Sequence, residues 1–283
     1  MALPDVQSWR PQSRFRLTRV GIQGIKKQVY IQRPERTVQL IVSMDVFVDL
    51  PPSKKGSDLS RNSEVIEEVV EQTAREPSPS LEDLCGDIAA RLLEKHEYAT
   101  RSEVRATADY FLDRFTPNGR KTMEPYRIMA EVEATEEQVQ RFIGVEVTGM
   151  TACPCAMETI RQSEGTDARM THNQRNVATI VMESRGRVDA DDLIDIAEMS
   201  MSSPTYEILK RNDERDVVVN AHRNPKFVED VVRDLLKNIL ERYGDLPDDV
   251  KVTARSTSLE SIHKHNAFAE RVTTLGELRE KET

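Results

Sequence analysis

No stretch of this 283-residue chain is long and apolar enough to span a bilayer, which takes about twenty such residues. The first residues, MALPDVQSWRPQSRFR, lack the apolar core of a signal peptide, so no membrane association is expected. Cysteine is scarce. Three residues, an odd number, cannot form a disulfide framework and point to a reducing, cytoplasmic setting. The single close cysteine pair also excludes a structural zinc ribbon, which needs two. One tryptophan and 5% aromatic residues leave little for stacking single-stranded bases. A net charge of −9 argues against a nucleic-acid partner, yet leaves room for a local basic cluster that holds a small anion.

What is present is strong periodicity. Val38, Leu40, Val42, Met44, Val46, Val48 and Leu50 share one parity, which predicts a long half-buried strand. The preceding segment, FRLTRVGIQGIKKQVYI, reads as its partner. After the Pro, Gly and Ser break of PPSKKGSDLSRNSE, Val65, Ile66, Val69 and Val70 predict a helix. Ser80 and Asp83 form a capping-box pattern that opens a second helix, with the stripe Leu81, Leu84, Cys85, Ile88 and Leu92. Alternation over 104–112 and 126–132 adds two strands. The first half thus reads strand, strand, helix, helix, strand, strand.

The second half repeats that order. FIGVEVTGM and NVATIVMES read as strands on either side of a cysteine loop. Helices are expected at 190–202 and 225–243, the latter capped by Asn224 with Pro225 at its first position and stopped by Gly244. VKVTARSTS is a further strand, and the tail could supply one more. Hairpins flanking helix pairs predict an α+β fold of antiparallel sheets with helices on one face. The domains are placed at 1–138 and 139–283.

Several residue types could carry chemistry. In ACPC, alternate positions of an extended chain face opposite ways, so Cys153 and Cys155 would present one thiolate to a metal; two ordinary buried cysteines are the plain alternative. Cys85, on an apolar stripe, reads as core. His96, at a helix end, reads as a surface residue, and His222 as either. His172, His263 and His265 fall in polar, loop-like segments, where site residues tend to lie. One thiolate with imidazoles and a carboxylate suits Zn²⁺ or Fe²⁺ and leaves a position for water. Glu229 lies off the stripe Phe227, Val228, Val231, Val232, Leu235 and Ile239, as a solvated glutamate would. Glu207, Asp213 and Glu214, beside Lys210 and Arg211, read as a surface charge cluster. Lys54, Lys55, Ser60 and Arg61 surround Gly56 ahead of a helix, where cations and amides could hold phosphate. The spacing is not that of a P-loop, and a solvated loop fits equally.

LPDVQ, KKGSDLSRN, GMTACPC, HNQR, KRNDE, NPKFVED and ESIHKHNAFAER occur in this order, and together they resemble the type I-B GTP cyclohydrolases over nearly the whole chain. VFVDLP, ACPC after VTGMT, and the long spacer between Cys153 and His172 are similar to the archaeal branch, which opens methanopterin biosynthesis.

The resemblance implies a tunnelling fold (T-fold): two tandem strand-strand-helix-helix-strand-strand units whose barrel is completed by oligomerisation. It also implies a homo-oligomer, a tetramer, with sites between subunits. Cys153, His172, Glu214 and His263 would bind the metal, Fe²⁺ with Mn²⁺ or Zn²⁺ as alternatives. His263 and His265 are open to exchange. Cys155 and His265 would serve acid–base catalysis, and Glu229 would anchor guanine. Lys55, Ser60, Arg61, Arg175, Lys210 and Arg211 would hold the substrate GTP. SDLSRN lacks the histidine that family members often carry in this loop, so Asp58 and Leu59 receive no role. The implied reaction opens the imidazole ring of GTP, releases formate and pyrophosphate, and gives 7,8-dihydroneopterin 2′,3′-cyclic phosphate. Alternatives are the bacterial-type triphosphate product, a non-catalytic purine or pterin binder, or a zinc-stabilised structural protein.

Overall fold

The computed structural model describes residues 5–34, 36–165, 169–185 and 188–280. Leu3 and Pro4 of LPDVQ lie outside the described residues. The chain divides into two compact units: Met1–Asp109 with Met129–Ile143, and Tyr110–Ile128 with Gly144–Thr283. Its strands are hydrogen-bonded in an antiparallel arrangement with helices packed on them.

The first unit begins with β1 (Leu17–Gln32), β2 (Thr37–Leu50), α1 (Leu59–Thr73) and α2 (Leu81–Lys95). It continues into β3 (Arg101–Phe115), β4 (Lys121–Thr135) and β5 (Val139–Ala152), three strands that also contribute residues to the second unit. The order strand, strand, helix, helix, strand, strand is the one the periodicity predicts. Period-two alternation buries one face of β2: Leu40, Val42, Met44, Val46 and Val48 are all buried. The stripes of the two helices are buried too, Val65, Ile66 and Val69 on α1 and Leu84, Ile88 and Leu92 on α2; α1 packs on β1 and α2, and α2 on β2. Ser80 caps α2, its hydroxyl accepting from the Asp83 N–H at 3.0 Å. Cys85 is buried as expected, and burial pushes its thiol well above the ordinary range.

In the second unit β5 is followed by α3 (Pro154–Glu164), β6 (Asn173–Glu183), α4 (Ala190–Ser200) and the short β7 (Ser203–Pro204). Then come α5 (Arg211–Arg223), α6 (Val228–Tyr243), β8 (Lys251–Ser258), β9 (Ala267–Thr274) and α7 (Leu275–Arg279). β6, β8 and β9 are successive neighbours, and β7 pairs with β5. α6 packs on α4, β8 and β9, and Val231, Leu235 and Ile239 on its inner face are fully buried.

The structure departs from the sequence reading at four places. Residues 154–164 are a helix, not a loop, with Cys153 as N-cap, Pro154 at the first position and Gly165 closing it at φ +60°. Residues 211–223 form a helix that the dense charges of KRNDERD concealed. α6 starts at Val228, not Pro225: Asp230 accepts from the Phe227 N–H at 3.0 Å, while Asn224 ends the preceding helix. His96 is wholly buried, not a surface residue. Its Nε2 lies 2.6 Å from Asn62 Oδ1 and its Nδ1 2.9 Å from Tyr98 Oη, which removes the need for water.

Two stability predictions result. Leu235→Ala should cost about 2–5 kcal/mol, read from the chemical denaturation midpoint, because the hole lies where three elements meet. The second concerns pH. Burial, reinforced by Arg61, pushes the His96 imidazole down to about 4, below the ~6.5 of an unfolded histidine. Its contribution is therefore complete above about pH 6.5 and lost as pH falls toward 4. His96→Gln should flatten the fall in melting temperature across that window; an unchanged slope would show that other groups set it.

Candidate active site

Three backbone hydrogen bonds gather four distant segments of the second unit. The Cys153 N–H donates to His172 O at 3.1 Å, the Lys226 N–H to Ala152 O at 3.0 Å, and the Leu259 N–H to Arg175 O at 2.9 Å. Thr171 adds a side-chain tie, its hydroxyl donating to Cys153 O at 2.6 Å. The segments enclose a cleft of about 260 Å³, lined in part by Cys153, His172, Glu229, Glu260, His263 and His265. The expected residues Cys153, His172, His263, His265 and Glu229 thus meet, though 112 positions separate the first from the last (153 to 265).

Cys153 stands at the N-terminus of α3, where its Sγ accepts from the Ala156 N–H at 3.5 Å. Pro154 fits the first turn, where no N–H partner is needed. Because the chain turns helical here, Cys155 follows at the second helical position instead of on the reverse of an extended strand. Its side chain is exposed and does not line the cleft. Only one thiol of the pair reaches it.

The ring of His172 is held by Gln174, whose Oε1 lies 2.9 Å from Nδ1. The Gln174 amide donates at 3.4 Å to both Thr151 Oγ1 and Glu260 Oε1. A carboxamide oxygen only accepts, so Nδ1 carries the proton and Nε2 keeps its lone pair for a ligand. His263 and His265 lie on the exposed loop between β8 and β9 with their rings stacked, centroids 5.2 Å apart. Both line the cleft, so geometry does not choose between them.

Glu229 is in the first turn of α6, exposed on the side opposite the buried stripe, as its spacing implies. Lys226 also lines the cleft, but its ammonium is taken by Ser200 O at 2.9 Å and Asp234 at 2.6 Å. Glu229 lines the cleft next to it.

Other expected residues lie elsewhere. Glu214 is exposed on the first turn of α5, outside the lining of the cleft; the carboxylate that the cleft offers beside Glu229 is Glu260. Asp213 is no surface charge. It is 2% exposed, accepts from the Asn118 N–H at 3.1 Å and the Lys210 N–H at 3.1 Å, and is pushed down to about 2 by bonds from Thr116 and Asn118. The Glu207 N–H donates to both carboxylate oxygens of Glu124 at 3.0 Å, which pins the segment leading to α5. Lys210 and Arg211 are exposed at the start of α5, and Arg175 is exposed on β6. Lys55, Ser60 and Arg61 belong to the first unit, on the loop and first turn of α1.

Gln174 and Glu260 had no role in the sequence reading. The signal was available: Gln174 shares parity with His172, and Glu260 precedes His263 by three residues.

A thiolate, two or three imidazoles and a carboxylate form a donor set suited to Fe²⁺, Mn²⁺ or Zn²⁺. The proton fixed on His172 Nδ1 is the arrangement expected of a metal-ligating imidazole. Among the described residues no three such side chains yet converge closely enough to hold an ion.

Comparison with known proteins gives this cleft a context. The family described as type I GTP cyclohydrolase folE2 matches residues 3–269. GTP cyclohydrolase MptA of Methanococcoides burtonii is 45% identical, covering 98% of this chain and 96% of that protein. GTP cyclohydrolase MptA of Methanosphaera stadtmanae is 43% identical, covering 98% and 97%. Among solved structures, uricase from Arthrobacter globiformis matches with a TM-score of 0.54 at 7% identity, over 91% of this chain and 93% of that one. Urate oxidase from Bacillus sp. TB-90 gives 0.51 at 11% identity, over 91% and 100%. These last two are likenesses of fold alone. With the family match spanning nearly all of its length, the chain belongs to the type I GTP cyclohydrolase family.

Proposed function

We propose that this protein is a metal-dependent GTP cyclohydrolase that opens methanopterin biosynthesis. GTP would become 7,8-dihydroneopterin 2′,3′-cyclic phosphate, with release of formate and pyrophosphate. The observation that carries the reading is the cleft that gathers Cys153, His172, His263, His265 and Glu229 from four segments. Relatives that carry the name GTP cyclohydrolase MptA along nearly their full length support it.

Glu229 supplies purine recognition. Its carboxylate can accept from two adjacent N–H groups of the guanine ring, a charge-assisted pair of bonds that adenine cannot return. Cys153, His172 and His263 would hold the metal with a carboxylate, either Glu214 as the resemblance implies or Glu260 from within the cleft. When bound, such an ion supplies Lewis acidity and a water activated at neutral pH. His265, stacked on His263, would move a proton to or from the ring nitrogen released as the imidazole opens. Cys155 keeps an acid–base role only if assembly of chains covers its exposed side chain.

Assembly is part of the proposal. A T-fold barrel completed by a homotetramer would set sites between subunits, and a second copy would then complete the exposed histidine loop. Lys55, Ser60, Arg61, Arg175, Lys210 and Arg211 are the groups proposed for the triphosphate. Attack of a ribose-derived hydroxyl on the first phosphorus, with pyrophosphate as leaving group, closes the cyclic phosphate without a further reactant.

The first test is anaerobic GTP turnover by metal-stripped protein with Fe²⁺, Mn²⁺ or Zn²⁺ restored. A pterin that resists phosphatase is expected. One stripped to neopterin would identify the triphosphate product, and GTP binding without turnover would leave a purine-binding protein.

Two substitutions examine the site. Glu229→Gln should lower kcat/KM for GTP by about 10–100-fold while metal stoichiometry stays unchanged, the scale of one charge-assisted contact. Glu260→Gln and Glu214→Gln should separate the carboxylates: the true ligand loses metal affinity about 10-fold or more in chelator competition, and the other does not.

A further inference from the structure

The sequence reading left His96 without a role, and the cleft does not use it, yet it is the most completely buried histidine of the chain. It anchors a polar network beneath the basic segment 54–61. The Asn62 Oδ1 accepts from His96 Nε2–H at 2.6 Å, which makes Nδ1 the acceptor of the Tyr98 hydroxyl at 2.9 Å. That hydroxyl in turn accepts from Ser57 Oγ at 2.9 Å. One chain of hydrogen bonds therefore ties Ser57, before α1, and Asn62, in its first turn, to the corner that follows α2.

Cations complete the arrangement. Lys54 Nζ sits 3.9 Å from the centre of the Tyr98 ring and 3.3 Å from Asp58. Arg61 donates to Lys95 O at 2.7 Å and lies 3.7 Å from the same Asp58. Lys55 and Ser60, by contrast, are exposed. The Lys55 and Gly56 N–H groups reach back to Gln7 O, both at 3.2 Å. Residues 51–58 have no helix or strand of their own, so these ties are what give the segment one shape.

The groups facing His96 are Arg61 and Lys54, which oppose a charge on the ring, and Asp58, which favours it. Burial dominates and pushes the imidazole down to about 4, so the neutral tautomer that the network requires persists at working pH.

We propose that His96, Tyr98, Ser57 and Asn62 form a buried latch that pre-shapes the 54–61 segment for the triphosphate, with Lys55 and Ser60 as the contacting groups and Lys54 as a strut. The inference rests on the reading that this segment holds the phosphates. A loop ordered before binding loses less conformational freedom when the ligand arrives, so loosening the latch weakens ground-state binding without touching the chemistry. His96 and Tyr98 are thus positioning residues.

The test compares Tyr98→Phe, which removes the hydroxyl and keeps the ring under Lys54, with His96→Leu, His96→Gln and Lys55→Ala in the metal-loaded enzyme. Ser57→Ala replaces Tyr98→Phe if that variant does not fold. Tyr98→Phe and His96→Leu should raise KM for GTP and the inhibition constant of inorganic triphosphate by about 3–10-fold at unchanged kcat and metal content. His96→Gln, able to accept and donate, should recover most of that loss. If Lys55→Ala raises KM but the latch variants change only melting temperature, the latch is overturned and the phosphate reading stands. If Lys55→Ala leaves KM and triphosphate inhibition unchanged, the phosphate reading fails and the latch falls with it.

Discussion

The Cys153 N–H to His172 O bond closes a span of nineteen residues (172 − 153) and brings both residues to the wall of one cleft. Without it Cys153 would be a helix cap and His172 the start of a strand, with nothing in common. The Lys226 and Leu259 bonds act in the same way on Glu229 and on the histidine loop. Backbone donors at the ends of elements have no partner inside the element, and here they find one in the neighbouring segment. Site assembly is thus a by-product of satisfying those ends.

Electrostatics follow from the same ends. The protein is strongly acidic overall, and its substrate is a polyanion. α3 and α6 both present their N-termini at the cleft, with Cys153 on one and Glu229 on the other. Peptide dipoles supply positive potential there beside Lys226, whose ammonium is bonded to Ser200 O and Asp234. Where cations are used, in the 54–61 segment, Asp58 and Tyr98 hold two of them in place. Net charge therefore says little about what such a protein binds, whereas the placement of helix starts says much.

Most of the first unit was legible because its elements obey one period each: the parity of β2 and the stripes of α1 and α2 match the buried residues nearly one for one. The cysteine segment was misjudged because Pro154 looks like a chain breaker, although proline is at home in a first turn. α5 was hidden since its inner face is narrow, only Asp213, Val217 and Ala221 being buried, and one of these is charged. The residues proposed for metal and guanine were suggested only by ordered motifs; no spacing rule joins positions 153 and 265. Gln174 escaped because an orienting residue leaves no signature apart from its neighbours, and Glu260 because nothing in its spacing sets it apart from the many other carboxylates.

Two histidines show what separates a structural from a functional ring. His96 has both nitrogens committed, one to Asn62 and one to Tyr98, and no solvent exposure. His172 has its Nδ1 engaged by Gln174 at one end of the ring and the cleft at the other. Burial alone would rank His96 as the more unusual residue, and it pushes that imidazole below the ordinary value. Yet a ring with no free nitrogen can neither ligate nor transfer a proton, however perturbed it is. A ring with both nitrogens committed, as in His96, is suited to holding a loop in place, whereas His172 lines the cleft.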